Sequence, residues 1–158
     1  MKTDSAPHGP SIALYPHGGA EGLDLAWIEA TAARALPLCL AERGPGEAPL
    51  AELGEIEVSL LDDEAIARVH GEFMDDPSAT DVITFQHGEL LVSAETARRE
   101  APEHGNSPEA ETLLYIVHGL LHLNGHGDLA EPERTAMHRA QDAILARLLG
   151  EAPGHSTS

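Results

Sequence analysis

The stretch PEAETLLYIVHGLLHLNGHGD, residues 108–128, constrains this chain more than any other. Asn106 and Ser107 break the chain before it, and Pro108 suits the first turn of a helix. The residues after Pro108 are apolar enough to belong to a core, yet His118 and His122 stand one turn apart on one face. A Gly-rich loop then carries His126 and Asp128. Neither of these last two side chains is of a kind that packs a core.

The rest of the chain supplies a sheet and further helices for this helix to pack against. SIALY reads as a first short strand, and residues 23–43 as an amphipathic helix carrying Trp27 and Ile28, interrupted near Pro37. GPGEAP is a surface loop. GEIEVSLLD alternates Ile56, Val58 and Leu60 with polar neighbours, the period of a half-buried strand. Asp62 or Asp63 can cap the helix DEAIARVHGEF after it. TDVITF and GELLVSA, joined by a short turn, predict two adjacent strands in a hairpin-like arrangement. Ser93 opens a helix through Glu100, and a last helix from about Pro132 to Leu149 has Met137, Ile144, Leu145 and Leu148 as its apolar stripe. The sum is an α/β (α+β) fold, a small mixed four-stranded sheet packed with about five helices in a single domain. Residues 11–150 form that domain, and the small, polar termini 1–10 and 151–158 are expected to be flexible.

Aromatics are confined to Tyr15, Trp27, Phe73, Phe85 and Tyr115, so the core must be mostly Leu, Ile, Val and Ala. Nine basic residues against 27 acidic ones give a net charge of -18, which favours solubility and repels polyanions. Cys39 is alone, so no intramolecular disulfide forms, and its setting ALPLCLA suggests a buried residue and not a reactive thiol. No apolar leader and no stretch long enough to span a bilayer is visible. A soluble, cytoplasmic protein without membrane contact is the expectation.

Ten histidines in 158 residues make chance pairs at i,i+4 common, roughly 0.6 per such chain, so spacing alone is weak. The context carries more. Side chains one turn apart on a helix are close enough for two imidazoles to meet one ion. Asn124-Gly125 can end the helix in a left-handed turn and return the chain, so that Asp128 supplies an oxygen. Zinc takes such a set, with a position left for water if it is catalytic. The alternative is a pair of hydrogen-bonded core histidines, each of which would then need its own partner.

HGLLHLNGHGD resembles the signature of the YbeY family of metal-dependent endoribonucleases, usually written H-G-x-L-H-L-x-G-Y-D-H. TDVITF is similar to the family's T-D-V-L-S-F, and HGELLVSAETARREA to its G-D-I-V-I-S segment with the helix after it. Met137 falls where the family places a Met after its third ligand. The resemblance implies a compact domain with a mixed sheet, one zinc ion held by three side chains, single-stranded RNA as substrate, and a role in ribosomal RNA maturation and ribosome quality control. It implies His118, His122 and Asp128 as the metal ligands, with Asp in place of the family's third His. His126, at the Tyr position, is an alternative third ligand, although the register favours Asp128. A two-His, one-carboxylate set also suits Fe(II) or Mn(II).

A second departure bears on catalysis. Where the family has Tyr-Arg before T-D-V, this chain has Phe73-Met74, and His70 stands at a family Asn. Met cannot engage a phosphodiester as Arg does. Arg98, Arg99, Arg134 and Arg139 are replacements by charge alone, and Thr80, Asp81 and Glu89 are expected on strands beside the cleft. The general base stays unassigned. The reading is a metal-dependent hydrolase cutting RNA, with weak, salt-sensitive binding and a ribosomal protein or other basic partner delivering substrate. Two alternatives are a ribosome-associated module with a structural zinc and a zinc peptidase. The peptidase lacks the Glu that H-E-x-x-H enzymes place beside the first His, since Gly119 stands there.

Overall fold

The structure is a computed structural model and describes residues 10–74, 81–127 and 130–150, with the backbone alone at 73 and 74. Apart from Pro10, the termini expected to be flexible lie outside the described residues. Strand β1 (Ser11–Pro16) leads into helix α1 (Leu25–Leu40), a short 3-10 turn (Pro49–Glu52) and strand β2 (Glu55–Leu61). Helix α2 (Asp63–Met74), strands β3 (Val82–Phe85) and β4 (Glu89–Ser93), and helices α3 (Ala94–His104), α4 (Pro108–Leu123) and α5 (Glu133–Leu149) complete the chain. The four strands run in the order β1-β2-β4-β3. β1 and β4 are parallel to β2, and β3 returns antiparallel to β4, which makes the sheet mixed as expected.

Strand alternation divides the core between two faces. Ile56, Val58 and Leu60 of β2 stand beside Leu90 and Val92 of β4, all fully buried in the main core with α1, α4 and α5. On the other face Leu91 and Ile83 pack with Ile66 of α2. Helix α4 contributes Leu113, Ile116, Val117, Leu120, Leu121 and Leu123, each with no exposed surface. Each such side chain is worth about 1.5–3 kcal/mol of apolar burial, so α4 is the central element of the fold.

The helix ends follow the polar residues that precede them. Asp24, Ser93 and Ser107 accept the backbone N–H of Trp27, Thr96 and Ala110, and Asp62, not Asp63, does the same for Ala65 at the start of α2. Helix α1 departs from expectation, because it continues through Pro37 without a break. Both Pro37 and Ala33, whose carbonyl loses its partner, are exposed, so water can satisfy the orphaned oxygen. Pro102 in α3 sits equally exposed, four residues after exposed Arg98, and α3 runs past Glu100 to His104.

Candidate metal centre

Helix α4 carries His118 and His122 through the core, and its C-terminal turn determines where the next loop goes. Gly125 takes a φ of 98°, the left-handed region that favours glycine, so the expected turn at Asn124-Gly125 is present. The His126 N–H then bonds back to the Leu121 carbonyl at 3.0 Å. This loop is stitched to the one after α1. Gly44 and Gly46 donate their N–H groups to the carbonyls of Asn124 (2.9 Å) and Gly125 (2.8 Å). Arg43 donates to the carbonyls of Gly44 and Gly46 and ties off the same turn.

Between the two loops lies a cleft of about 300 Å³. His122, His126, Glu47, Gln86 and Glu133 are among its walls. Glu133 belongs to the first turn of α5, where the helix end favours a carboxylate. Its Oε1 lies against Gly127, where a Cβ would come within 2.7 Å of it. No Lys or Arg is among the described residues that line the cleft.

The two helical histidines differ in setting. His122 lines the cleft. His118 is half-buried, and its Nδ1 is 3.0 Å from Oε1 of Gln141 on α5. An amide oxygen only accepts, so Nδ1 is the donor in this contact, and in the neutral ring that leaves Nε2 as the acceptor nitrogen. That is the state in which an imidazole serves as a ligand, with its other nitrogen held by an acceptor. The donor chemistry of this pair therefore fits a zinc-type ion. Asp128, the expected third ligand, lies outside the described residues, and among the described residues no three His, Cys, Asp or Glu side chains form a ligating group. His126 has another partner. It is buried, and its Nε2 donates to the Glu42 carbonyl at 2.7 Å, which anchors the loop to the end of α1.

The other expected residues are placed elsewhere. The Asp81 carboxylate accepts the N–H of Val82 beside it, and Glu89 pairs with His87 at 3.1 Å. Arg98 holds the carbonyls of Gly19 and Glu21, Arg99 binds Asp63, and Arg134 binds Glu131. None of these lines the cleft, nor does Arg139, which is exposed on α5. His70 is half-buried on α2. Thr80 and the side chain of Met74 lie outside the described residues. Cys39 is fully buried, and burial, followed by the nearby Glu42 charge, pushes its thiol up to about 12, so it is no nucleophile.

The residues that sequence reasoning missed are Glu47, Gln86, Glu133 and Gln141. Gln141 had a signal, as the polar residue one turn from both Met137 and Ile144 on an otherwise apolar stripe. Glu47 sits in the loop after α1 and Gln86 in the turn between β3 and β4, where no periodicity marks them. Gly119 also gains a reason. Its Cβ would lie 2.9 Å from Leu90 Cδ2 and 3.2 Å from Thr84 Oγ1, so any side chain at that position would have to displace the tip of Leu90.

A family model described as Endoribonuclease YbeY matches residues 26–149. A Rhodopirellula baltica protein named Endoribonuclease YbeY is 41% identical over 107 residues, covering 61% of this chain and 55% of its own length. A Synechococcus protein of the same name is 33% identical over 134 residues, covering 75% of this chain and 82% of its own. The chain thus spans about half the length of the first of these relatives. The solution structure of TM1509 from Thermotoga maritima superposes with a TM-score of 0.60 at 21% identity, covering 88% of this chain and 89% of that one, which supports the fold.

Proposed function

This chain belongs to the YbeY family, and from that premise we propose that it is a metal-dependent endoribonuclease of single-stranded RNA, acting in ribosomal RNA maturation and ribosome quality control. The observation that carries the reading is the pair of imidazoles on α4, one lining the cleft and the other with its Nδ1 at hydrogen-bonding distance from Gln141. His118, His122 and Asp128 would hold one divalent ion, zinc in our reading. When bound, such an ion lowers the pKa of a water and offsets the charge that develops on a phosphate.

The chain's own residues do the rest. The paired loops at 44–46 and 124–126 fix the rim of the cleft. His126 and Asn124 hold those loops to the end of α1. Gln86 is the uncharged polar group in the wall that can hydrogen-bond to a nucleotide. Glu133 and Glu47 are the carboxylates there that can take a proton from an attacking water, and they are the candidates for the unassigned general base.

A second reading, a ribosome-associated module whose metal is structural, is favoured by the acidic cleft wall. Elemental mass spectrometry of the parent, His118→Ala and Asp128→Ala, paired with RNA cleavage with and without chelator, separates the two. One equivalent of zinc in the parent, lost in both variants, together with chelator-sensitive cleavage, supports the enzyme. Zinc without cleavage supports the module, and no metal under replete conditions removes both. The cytoplasmic location stays part of the proposal; among the described residues no helix is long and apolar enough to cross a membrane.

A further inference from the structure

We infer that Gln141 is a positioning residue, holding His118 in the tautomer with its proton on Nδ1 so that Nε2 is the nitrogen offered to an ion. The inference rests on the metal-dependent reading of the same site. Helix α5 packs against the core through Met137, Ala140, Ile144, Leu145 and Leu148, all buried. Gln141 is buried among them at 8% exposure, where Leu or Met would continue the stripe. A primary amide is costly there unless its polar atoms are bonded. Its Oε1 meets His118 Nδ1 at 3.0 Å, across 23 residues of sequence.

The contact has a direction. An amide oxygen has no proton to give, so the imidazole must donate, and a neutral ring with its proton on Nδ1 is an acceptor only at Nε2. Were the amide turned round, its NH2 group would donate to Nδ1 and the proton would sit on Nε2 instead. The tautomer of His118 therefore reports the contact. His138, three residues before Gln141 on α5, sets its ring 6.5 Å from that of His118 at a 54° tilt. Two residues of α5 thus face the ring, and Gln141 is the one at hydrogen-bonding distance.

A packing role for Gln141 makes the opposite prediction, since Met of similar length would then serve as well or better. The test uses the full chain, metal-free and 15N-labelled, with long-range 1H–15N correlation spectra recorded above the imidazole titration range. The parent and Gln141→Glu should both show His118 protonated at Nδ1, because a carboxylate also accepts. Gln141→Met should shift the population towards Nε2–H while keeping its circular dichroism spectrum. Competition with a zinc chelator should then give about 10–100-fold weaker binding in Gln141→Met and parent-like or tighter binding in Gln141→Glu. A parent protonated at Nε2, or a tautomer unchanged in Gln141→Met, overturns the inference. A tautomer that follows residue 141 in a parent that binds no zinc upholds the positioning and removes the metal reading.

Discussion

Asn124, the residue that caps the C-terminal end of α4, donates its side-chain amide to the carbonyl of Cys39 at 2.9 Å, 85 residues earlier in the chain. The same NH2 group is 3.2 Å from the carbonyls of Leu40 and Glu42, so one side chain caps the C-terminal end of α1 from another helix. Asn124→Ala leaves those oxygens short of a donor, and we expect a loss of about 2–3 kcal/mol in urea unfolding. Asn124→Asp should be worse than Ala, because a carboxylate among three carbonyls donates nothing and adds repulsion. Equal stability of the Asp and Ala variants would mean that the cap carries little energy.

Gly44 sits where the two loops of the cleft touch. A Cβ there would fall 2.5 Å from the backbone carbonyl of Gly125 and 2.6 Å from the His126 nitrogen, and backbone atoms cannot move aside as a side-chain tip can. Gly44→Ala should force the loops apart, break the bond from its N–H to Asn124, and cost about 1–3 kcal/mol. Zinc affinity should fall with it although no ligand has changed. Gly54→Ala is the control, since nothing lies within 4 Å of a Cβ there, and it should be neutral or slightly stabilising in the same thermal melts.

Asn124 and Gly44 show why the sequence was legible along its elements and poorly legible between them. The alternation of Ile56, Val58 and Leu60 and the caps Ser93 and Ser107 are local signals, and each marked its element. The i,i+4 spacing of His118 and His122 is equally local, so half of the candidate site was visible. The clamp from Asn124 to α1 joins residues far apart in sequence, and the expected turn gave no hint of what its side chain would meet. Pro37 misled for a related reason: its penalty falls on one carbonyl, and whether water reaches that carbonyl is a property of the folded surface. Glu47 and Glu133 became site residues only when the loops around residues 46 and 127 came together.

Asp63 should make stability fall on the acid side. Burial raises the pKa of its carboxyl, but hydrogen bonds from Ser93 (2.6 Å), Arg99 (2.9 Å) and Thr96 (2.8 Å) outweigh that and hold it below the usual range. A carboxylate depressed in this way contributes stability that is present above its unfolded pKa of about 3.9. That contribution is lost as pH falls through the lower, folded value. Asp63→Asn should be less stable than the parent by about 1–2 kcal/mol at pH 7. The gap should close as both proteins are unfolded in urea at progressively lower pH below that range. A gap that is the same at acid and neutral pH would mean that packing, and not charge, sets the role of Asp63.

The acidic wall of the cleft should limit RNA binding. A phosphate entering between Glu47 and Glu133 meets two like charges with no Lys or Arg among the described lining residues, in a chain of net charge -18. Each close pair of unit charges costs about 1 kcal/mol in water, less once screened. Glu47→Gln/Glu133→Gln should therefore bind a single-stranded RNA roughly 3–10-fold more tightly than the parent at low salt. The gain should shrink as the screening length drops from about 10 Å at 0.1 M salt to about 3 Å at 1 M. Glu21→Gln/Glu103→Gln removes the same net charge from exposed positions outside the cleft. A gain only in the first pair would place RNA in the cleft. Equal gains would make overall charge the barrier, and no gain in either would leave recruitment to a basic partner, because removing the local repulsion would then have exposed no intrinsic affinity.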